Sequence, residues 1–471
     1  MATAIWFKQD LRITDNPAVA DALQRANADE AVFGIFVATP ATWHVHDWAP
    51  IKADFLWRHL QAFNEELAQQ GIQLQVINAQ RFSEVPGVLA RFCQQHEINY
   101  LAYNHEYPVH EANRDRAVQA WLQQHQVVCQ GWHGALLVPP QAVRTQQGSY
   151  YQKFTPFNRA WRKHLASHAD WQPVSLPQRK ALSPVALPDC PYPRRDSSAW
   201  PVSEKSAKQR LTRYINELID DYKRDRDYPA RDNTSRLSPY WELGLLSPRT
   251  AARRLLEHSP QFPEGLKVGA DTWLTELAWR EFYQHLMQHE PRLSKGQSFI
   301  RYADDMQWRQ SDEDFRRWCE GRTGVPIVDA GIRQLLQEGW MHNRVRMIVA
   351  NFLVKDLMLD WRLGERFFMQ QLIDGSFPAN NGGWQWSASV GTDAVPYFRV
   401  FNPFKQSEKF DPDGVYIRNW VKELETVPTA HIHQPRGWLE KHGRDDYPAP
   451  MVDHAAARET FINSFKRVKN G

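Results

Sequence analysis

The stretch Ala379-Asn380-Asn381-Gly382-Gly383-Trp384-Gln385-Trp386 joins three amides, two adjacent glycines and two tryptophans. Adjacent glycines admit close approach by a ligand or another backbone, and each indole offers a flat apolar face with one N–H. That surface suits a planar aromatic cofactor or an exposed base, while the plainer reading is a tight turn carrying core tryptophans. Thr234-Ser235-Arg236-Leu237-Ser238 places hydroxyls and a guanidinium just before a helical segment. Such a group suits a pyrophosphate cradle, and equally a simple helix N-cap.

Trp273, Glu276, Trp279, Arg280 and Tyr283 recur at three- and four-residue spacing and so share one helix face. Glu276 there is either an ion-pair partner of Arg280 or a hydrogen-bonding carboxyl in a pocket. Trp340-Met341-His342-Asn343-Arg344-Val345-Arg346-Met347 sets amide, cation and thioether groups at a predicted helix start. Its arginines can bind phosphate oxygens bidentately, and an aromatic-lined cavity beside them could take a flipped-out nucleotide. Together with Asp374 and the Asn380–Trp386 segment, these groups require one composite pocket.

The elements that must position them divide the chain in two. Five short apolar runs, 4–7, 31–37, 73–77, 100–103 and 127–130, alternate with helical spacing near 16–26, 52–70, 83–96 and 110–125. This pattern predicts right-handed βαβ crossovers and a Rossmann-like, doubly wound parallel sheet over residues 1–135. No GxGxxG follows the first strand, so the dinucleotide fingerprint is absent. Residues 136–202 read as a connector, with seven prolines between Trp171 and Pro201 and no apolar period, expected to run over a domain surface. Residues 203–471 read as all-helical, with helices near 203–222, 247–257, 270–289, 325–338, 340–357 and 363–373. The fold class is therefore α/β plus all-α.

Composition narrows the function classes. At 471 residues the chain exceeds one ordinary core, and 42% hydrophobic with 24% charged residues describes a globular protein without a membrane span. The N-terminus lacks the pattern of a secretion signal, which places the protein in the cytoplasm. Four dispersed cysteines indicate neither a disulfide framework nor a metal site. A net charge of +3 makes any anion-binding face local. Among 20 tryptophans, eight fall between 273 and 386, more than stability alone usually calls for.

These motifs, with Trp6-Phe7-Lys8-Gln9-Asp10-Leu11-Arg12, Trp279-Arg280-Glu281-Phe282-Tyr283 and Asp360-Trp361, resemble the DNA photolyase and cryptochrome flavoproteins over essentially the whole chain. Within them the chain looks like the bacterial class I cyclobutane pyrimidine dimer photolyases, monomeric DNA-repair lyases by family default. The resemblance implies FAD in the helical domain, held by Tyr222, Thr234, Ser235, Arg236, Leu237, Ser238, Trp273, Arg280, Arg346, Asp374, Gly375 and Ser376. It implies that Asn380 faces the flavin N5 and favours the reduced flavin, an amide having no acidic proton to give. Glu276, Trp279, Arg280, Asn343, Met347 and Trp386 look like the lesion pocket, and Arg226, Arg344 and Arg399 like contacts to DNA phosphates. Trp384, Trp361 and Trp308 match the family's electron chain, a role that their spacing does not show.

The implied reaction is light-driven electron transfer from reduced FAD to the dimer, cleavage of its C5–C5 and C6–C6 bonds, and return of the electron. A light sensor of cryptochrome type is the alternative. Asn343 and Met347 stand where a (6-4) photolyase would carry histidines, and Trp386 stands where cryptochromes of the DASH type usually carry tyrosine. For the antenna, His46, Glu111 and Lys295 match the methenyltetrahydrofolate-binding branch, with His110 in place of its asparagine. A deazaflavin or an additional flavin is the other option.

Overall fold

The computed structural model describes residues 2–167 and 174–470. Five strands, β1 (Ala2–Phe7), β2 (Val32–Ala38), β3 (Ile72–Asn78), β4 (Ile98–Asn104) and β5 (Val128–Trp132), form one parallel sheet in the order β3-β2-β1-β4-β5. Between them run helices α1 (Pro17–Arg25), α2 (Pro40–Val45), α3 (Pro50–Gln69), α4 (Val85–Gln95) and α5 (Val109–Gln124). Ile5 of β1 lies opposite Gly34 of β2 and Ala102 of β4. Every residue of β1 is buried, as a strand covered by helices on both faces requires. The predicted strands and helices of this part match to within about two residues at each end. The short α2 was not anticipated. Proline opens α1, α2 and α3, where its missing N–H costs nothing, and Asn16 caps α1 by accepting from the N–H groups of Ala18 and Val19.

The rest of the chain is helical: α6 (Phe154–Ser167), α7 (Glu204–Glu217), α8 (Tyr222–Asp225), α9 (Ser238–Glu242), α10 (Pro248–His258), α11 (Val268–His289), α12 (Asp312–Cys319), α13 (Pro326–Glu338), α14 (Asn343–Asn351), α15 (Trp361–Gln371), α16 (Phe377–Ala388), α17 (Pro403–Phe410), α18 (Val415–Trp420), α19 (Arg436–Lys441) and α20 (His454–Asn470). Two compact units result. The first comprises residues up to Asp220, Ser235–Ser294 and Ile373–Gly375; the second comprises Asp221–Thr234, Lys295–Leu372 and Ser376–Gly471. Helices α7 and α9–α11 therefore group with the sheet, whereas composition alone drew a line near residue 203.

Three local features differ from expectation. The connector contains α6, whose buried Phe154, Phe157, Trp161 and Leu165 give it an apolar face. From 174 to 201 it is otherwise irregular and lies along α3, where its carbonyls at Val185 and Pro188 accept from Asn64 and Trp57. Trp171 and Pro173 lie outside the described residues. The helix predicted over 340–357 begins only at Asn343, capped by His342, and passes into a π-helical turn over Phe352–Asp356. Finally, Asn380–Trp386 is neither turn nor loop but the middle of α16. Asn and Gly are poor helix formers, and packing of Trp384 overrides them: it is buried against Phe368 and Trp318, with ring centroids 5.0 and 6.1 Å away.

Candidate functional site

In the first unit, the 22-residue α11 carries Trp273, Glu276, Trp279, Arg280 and Tyr283. Trp273 is buried with its ring 5.7 Å from Tyr214 of α7. Trp279 is half-buried and lies flat on Phe154 of α6, with centroids 3.6 Å apart and planes 7° from parallel. Phe154 thus covers one indole face. Arg280 donates to the Ala135 carbonyl at 2.8 Å, and Glu276 is half-buried on the same helix.

Glu281, part of the Trp279–Tyr283 motif but assigned no role from it, is fully buried and accepts from the N–H groups of Leu137 and Val138 and from Trp161 Nε1 at 2.7 Å. Burial pushes its carboxyl up to about 7 against those donors and Arg280. It anchors the chain after Ala135 to α11.

Ser235, Arg236 and Ser238 are half-buried just ahead of and at the start of α9. Arg236 has φ +46°, an uncommon left-handed conformation for an arginine, and Ser235 offers its carbonyl to Arg210 at 3.3 Å. Leu237 and Asp374 are buried. The Gly375 carbonyl is held at 2.9 Å by Lys52, whose ammonium also pairs with Glu242 at 2.5 Å, all of it buried. A lysine inside α3 carries no sequence signal for such a role, because only the fold brings it to Gly375.

The structure also brings His46, His110 and Glu111 together. His46 Nδ1 lies 3.4 Å from Glu111 Oε1, and its ring centroid 5.6 Å from that of His110. Burial opposes ionisation of Glu111, but the His46 hydrogen bond and the charges of His46 and Arg114 hold its carboxyl below the ordinary value. Beside them sits a buried network unseen in the sequence: Lys8 to Asp115 at 2.6 Å, and Arg114 to Asp115 at 2.7 Å and to Glu106 at 2.5 Å.

In the second unit, α16 presents Asn380 half-buried, its amide nitrogen donating to the Glu365 carbonyl at 2.9 Å. That bond leaves Oδ1 as an acceptor. A Cβ at Gly383 would meet no atom within 4 Å outside its own stretch of helix, so no other backbone packs on this glycine and its face is open. Trp361 and Trp384 belong to one buried core, and Trp308 packs half-buried against it. Trp318, in the same core, makes the 6.1 Å ring contact with Trp384 and was not singled out by the sequence.

Asn343 is exposed at the first turn of α14, Met347 is half-buried one turn on, and Arg346 donates to the Met341 carbonyl at 2.8 Å. Arg344 pairs with Asp227 at 2.8 Å and lies 4.4 Å from the Phe410 ring centroid. Arg226 sits over the Tyr222 ring at 5.7 Å, and half-buried Trp386 makes an edge contact with Phe401 at 6.3 Å. Thr234 and Ser376 are half-buried, Arg399 is exposed, and Lys295 ends a short 3-10 turn. Among the described residues, no cluster of His, Cys, Asp or Glu has the form of a metal centre, and no helix is long and apolar enough to cross a membrane.

Each unit carries groups of a kind that suit a flavin dinucleotide: in the first, hydroxyls and a guanidinium on the loop before α9 suit phosphates and buried Trp273 suits a ring; in the second, Asn380 offers an acceptor oxygen and no acidic proton. Two family models match the chain: DNA photolyase over residues 3–178, and the FAD binding domain of DNA photolyase over residues 273–467. The fold is that of an FAD-binding flavoprotein, and the chain belongs to the DNA photolyase family. It is 44% identical, over 99% of both chains, to the deoxyribodipyrimidine photo-lyase of Salmonella typhimurium. Among solved structures it resembles a bacterial class III photolyase from Agrobacterium tumefaciens, with a TM-score of 0.87 and 31% identity over 100% of this chain and 98% of that one. It also resembles an archaeal photolyase from Sulfolobus tokodaii with two FAD molecules, with a TM-score of 0.83 and 29% identity over 99% of this chain and 100% of that one.

Proposed function

We propose that the protein repairs cyclobutane pyrimidine dimers in DNA with light. The observation that carries this reading is the 44% identity, end to end, to a deoxyribodipyrimidine photo-lyase. Reduced FAD, when bound and excited, supplies one electron to the dimer, whose C5–C5 and C6–C6 bonds break before the electron returns. The chain's own residues bind, orient and shield. Tyr222, Thr234, Ser235, Arg236, Leu237, Ser238, Trp273, Arg280, Arg346, Asp374, Gly375 and Ser376 hold the cofactor. Asn380 offers Oδ1 toward the flavin N5 and can release no acidic proton there, which suits a resident reduced flavin.

Trp279 and Trp386 stack on the extruded bases, Glu276 hydrogen-bonds a pyrimidine edge, and Asn343 and Met347 line the remaining wall. Arg226, Arg344 and Arg399 bind the flanking phosphates. Trp384, Trp361 and Trp308 carry electrons inward to oxidised flavin. Residues 1–135 serve the antenna, with methenyltetrahydrofolate contacted by His46, His110, Glu111 and Lys295; residues 136–202 connect, and residues 203–471 form the catalytic part. The protein acts as a cytoplasmic monomer.

The test is to irradiate the reduced holoenzyme with dimer-containing DNA and measure pyrimidine restoration. Light-dependent restoration is expected, and its absence would leave the cryptochrome-type sensor as the better reading. The absorption spectrum of the same sample distinguishes folate from a second flavin.

A further inference from the structure

Lys355 is a fully buried lysine on the π-helical turn Phe352–Asp356. Burying an ammonium is costly unless it has a partner, and π-helical turns often mark functional positions. Its Nζ donates to the backbone carbonyl of Arg399 at 3.1 Å and lies 5.3 Å from the ring centroid of Phe461 on α20. Four residues earlier, the fully buried Asn351 accepts from the Phe401 N–H at 3.0 Å. Two side chains at i and i+4 thus grip two backbone atoms of one irregular segment, a carbonyl and an N–H two residues apart.

The segment they grip is tied elsewhere chiefly through side chains, with Tyr397, Val400 and Phe401 packed against the core of the unit. Val395 donates to the Trp386 carbonyl at 3.3 Å, Arg399 closes a turn onto Pro396 at 2.8 Å, and Tyr397 stacks on Phe465 with centroids 5.0 Å apart. Phe398 and Arg399 point into solvent at its tip, Phe398 with 58% of its surface exposed.

We propose that Asn351 and Lys355 are positioning residues for DNA binding, fixing the backbone at 399–401 so that Arg399 meets a phosphate without first ordering its loop. This rests on the reading of Arg399 as a phosphate contact. A loop already ordered loses less entropy on binding.

The charge on Lys355 makes the grip pH-sensitive. Burial pushes its ammonium down to about 7 against the attraction of Asp356, the neighbouring buried carboxylate. Burial in turn raises the Asp356 carboxyl against the hydrogen bond of His454 on α20, whose Nδ1 lies 2.5 Å from Oδ1. Lys355, Asp356 and His454 are the titratable groups of this cluster. As pH rises through about 7 the amine becomes neutral, and its bond to the Arg399 carbonyl loses charge assistance.

The experiment measures dark binding of the full-length, flavin-loaded protein to a duplex with one cyclobutane thymine dimer, across salt and pH. Arg399→Ala should weaken binding several-fold and lower the salt slope by about one. Lys355→Met should weaken it by a similar factor with flavin content unchanged. Adding Lys355→Met to Arg399→Ala should cost no more than Arg399→Ala alone, and affinity should fall between pH about 6.5 and 8 in the parent but not in Lys355→Met. Full additivity of the two substitutions, or unchanged binding by Lys355→Met, overturns the positioning role while leaving Arg399 as a contact. An unchanged salt slope in Arg399→Ala removes the phosphate reading, and the inference with it. If Lys355→Met does not fold, Asn351→Ala removes the other half of the grip and gives the same comparison with Arg399→Ala.

Discussion

Single side chains carry the sharpest consequences. Phe154 lies flat on Trp279 and leaves it one face, so the neighbouring ring sets the indole plane. Phe154→Ala should free that ring and weaken binding of dimer-containing DNA by about 0.5–1.5 kcal/mol, the worth of an aromatic pair, while binding to undamaged duplex stays unchanged. Equal loss on both DNAs, in a titration of each, would point to general unfolding of the α6 region. Trp384→Phe should suppress light-driven reduction of oxidised flavin and leave repair by prereduced protein largely intact; parallel loss of both activities would remove the electron-chain role. Glu281→Gln should cost about 1–3 kcal/mol of unfolding free energy, since an amide nitrogen must face a buried donor. Because the Glu281 carboxyl is raised to about 7, its stabilising effect is complete below the ordinary carboxyl range and is lost as pH rises through about 7. Denaturant titrations at several pH values should therefore show a smaller gap between parent and Glu281→Gln above neutrality.

At the scale of elements, the approach of α15 to α16 depends on Gly364. A Cβ there would lie 2.1 Å from Trp384 Cη2 and 2.7 Å from Leu353 Cδ2. Gly364→Ala should cost about 1–3 kcal/mol through overpacking, lower the melting temperature and shift the Trp384 ring; an unchanged melting curve would mean that the two helices part freely. This contact shows where sequence reading stops. The sheet was legible because each strand is an apolar run bounded by helical spacing, and both periods are local. α11 was legible for the same reason, and its aromatic and charged face emerged with it. α16 was not, because Asn380-Asn381-Gly382-Gly383 opposes a helix locally and Trp384 imposes one through distant partners. The contacts of Lys52, Glu281 and Trp318 were equally invisible, since each acts on atoms far away in sequence: the Gly375 carbonyl, the Leu137 and Val138 amides, and the Trp384 ring. The roles of Trp308 and Trp361 came from resemblance alone, and their burial is what any core tryptophan shows.

For the molecule as a whole, buried histidines set the response to acid. His59, His105 and His285 are each pushed down to about 4, chiefly by burial. They remain neutral in the folded chain while the unfolded chain takes up protons, so the stability they contribute is present above about 6.5 and is lost as pH falls toward about 4. His59 is fully buried, with Nε2 at 2.8 Å from the Leu11 carbonyl. His59→Phe should flatten the decline of unfolding free energy below about pH 6.5, by up to about 1.4 kcal/mol per pH unit for one full proton; parallel curves for variant and parent would contradict this. The segment from 174 to 201 bears on how the protein could be rebuilt. Trp57 and Asn64 spend their donors on its carbonyls, Asp54 accepts from Ser197, and Arg58 donates to Ser197 and Trp200. It runs as an outer strap along α3. A chimera that exchanges the sheet with a relative should therefore take its seam beyond Pro201, because a cut at the end of the last strand carries α3 away and leaves behind the segment whose donors and acceptors meet it.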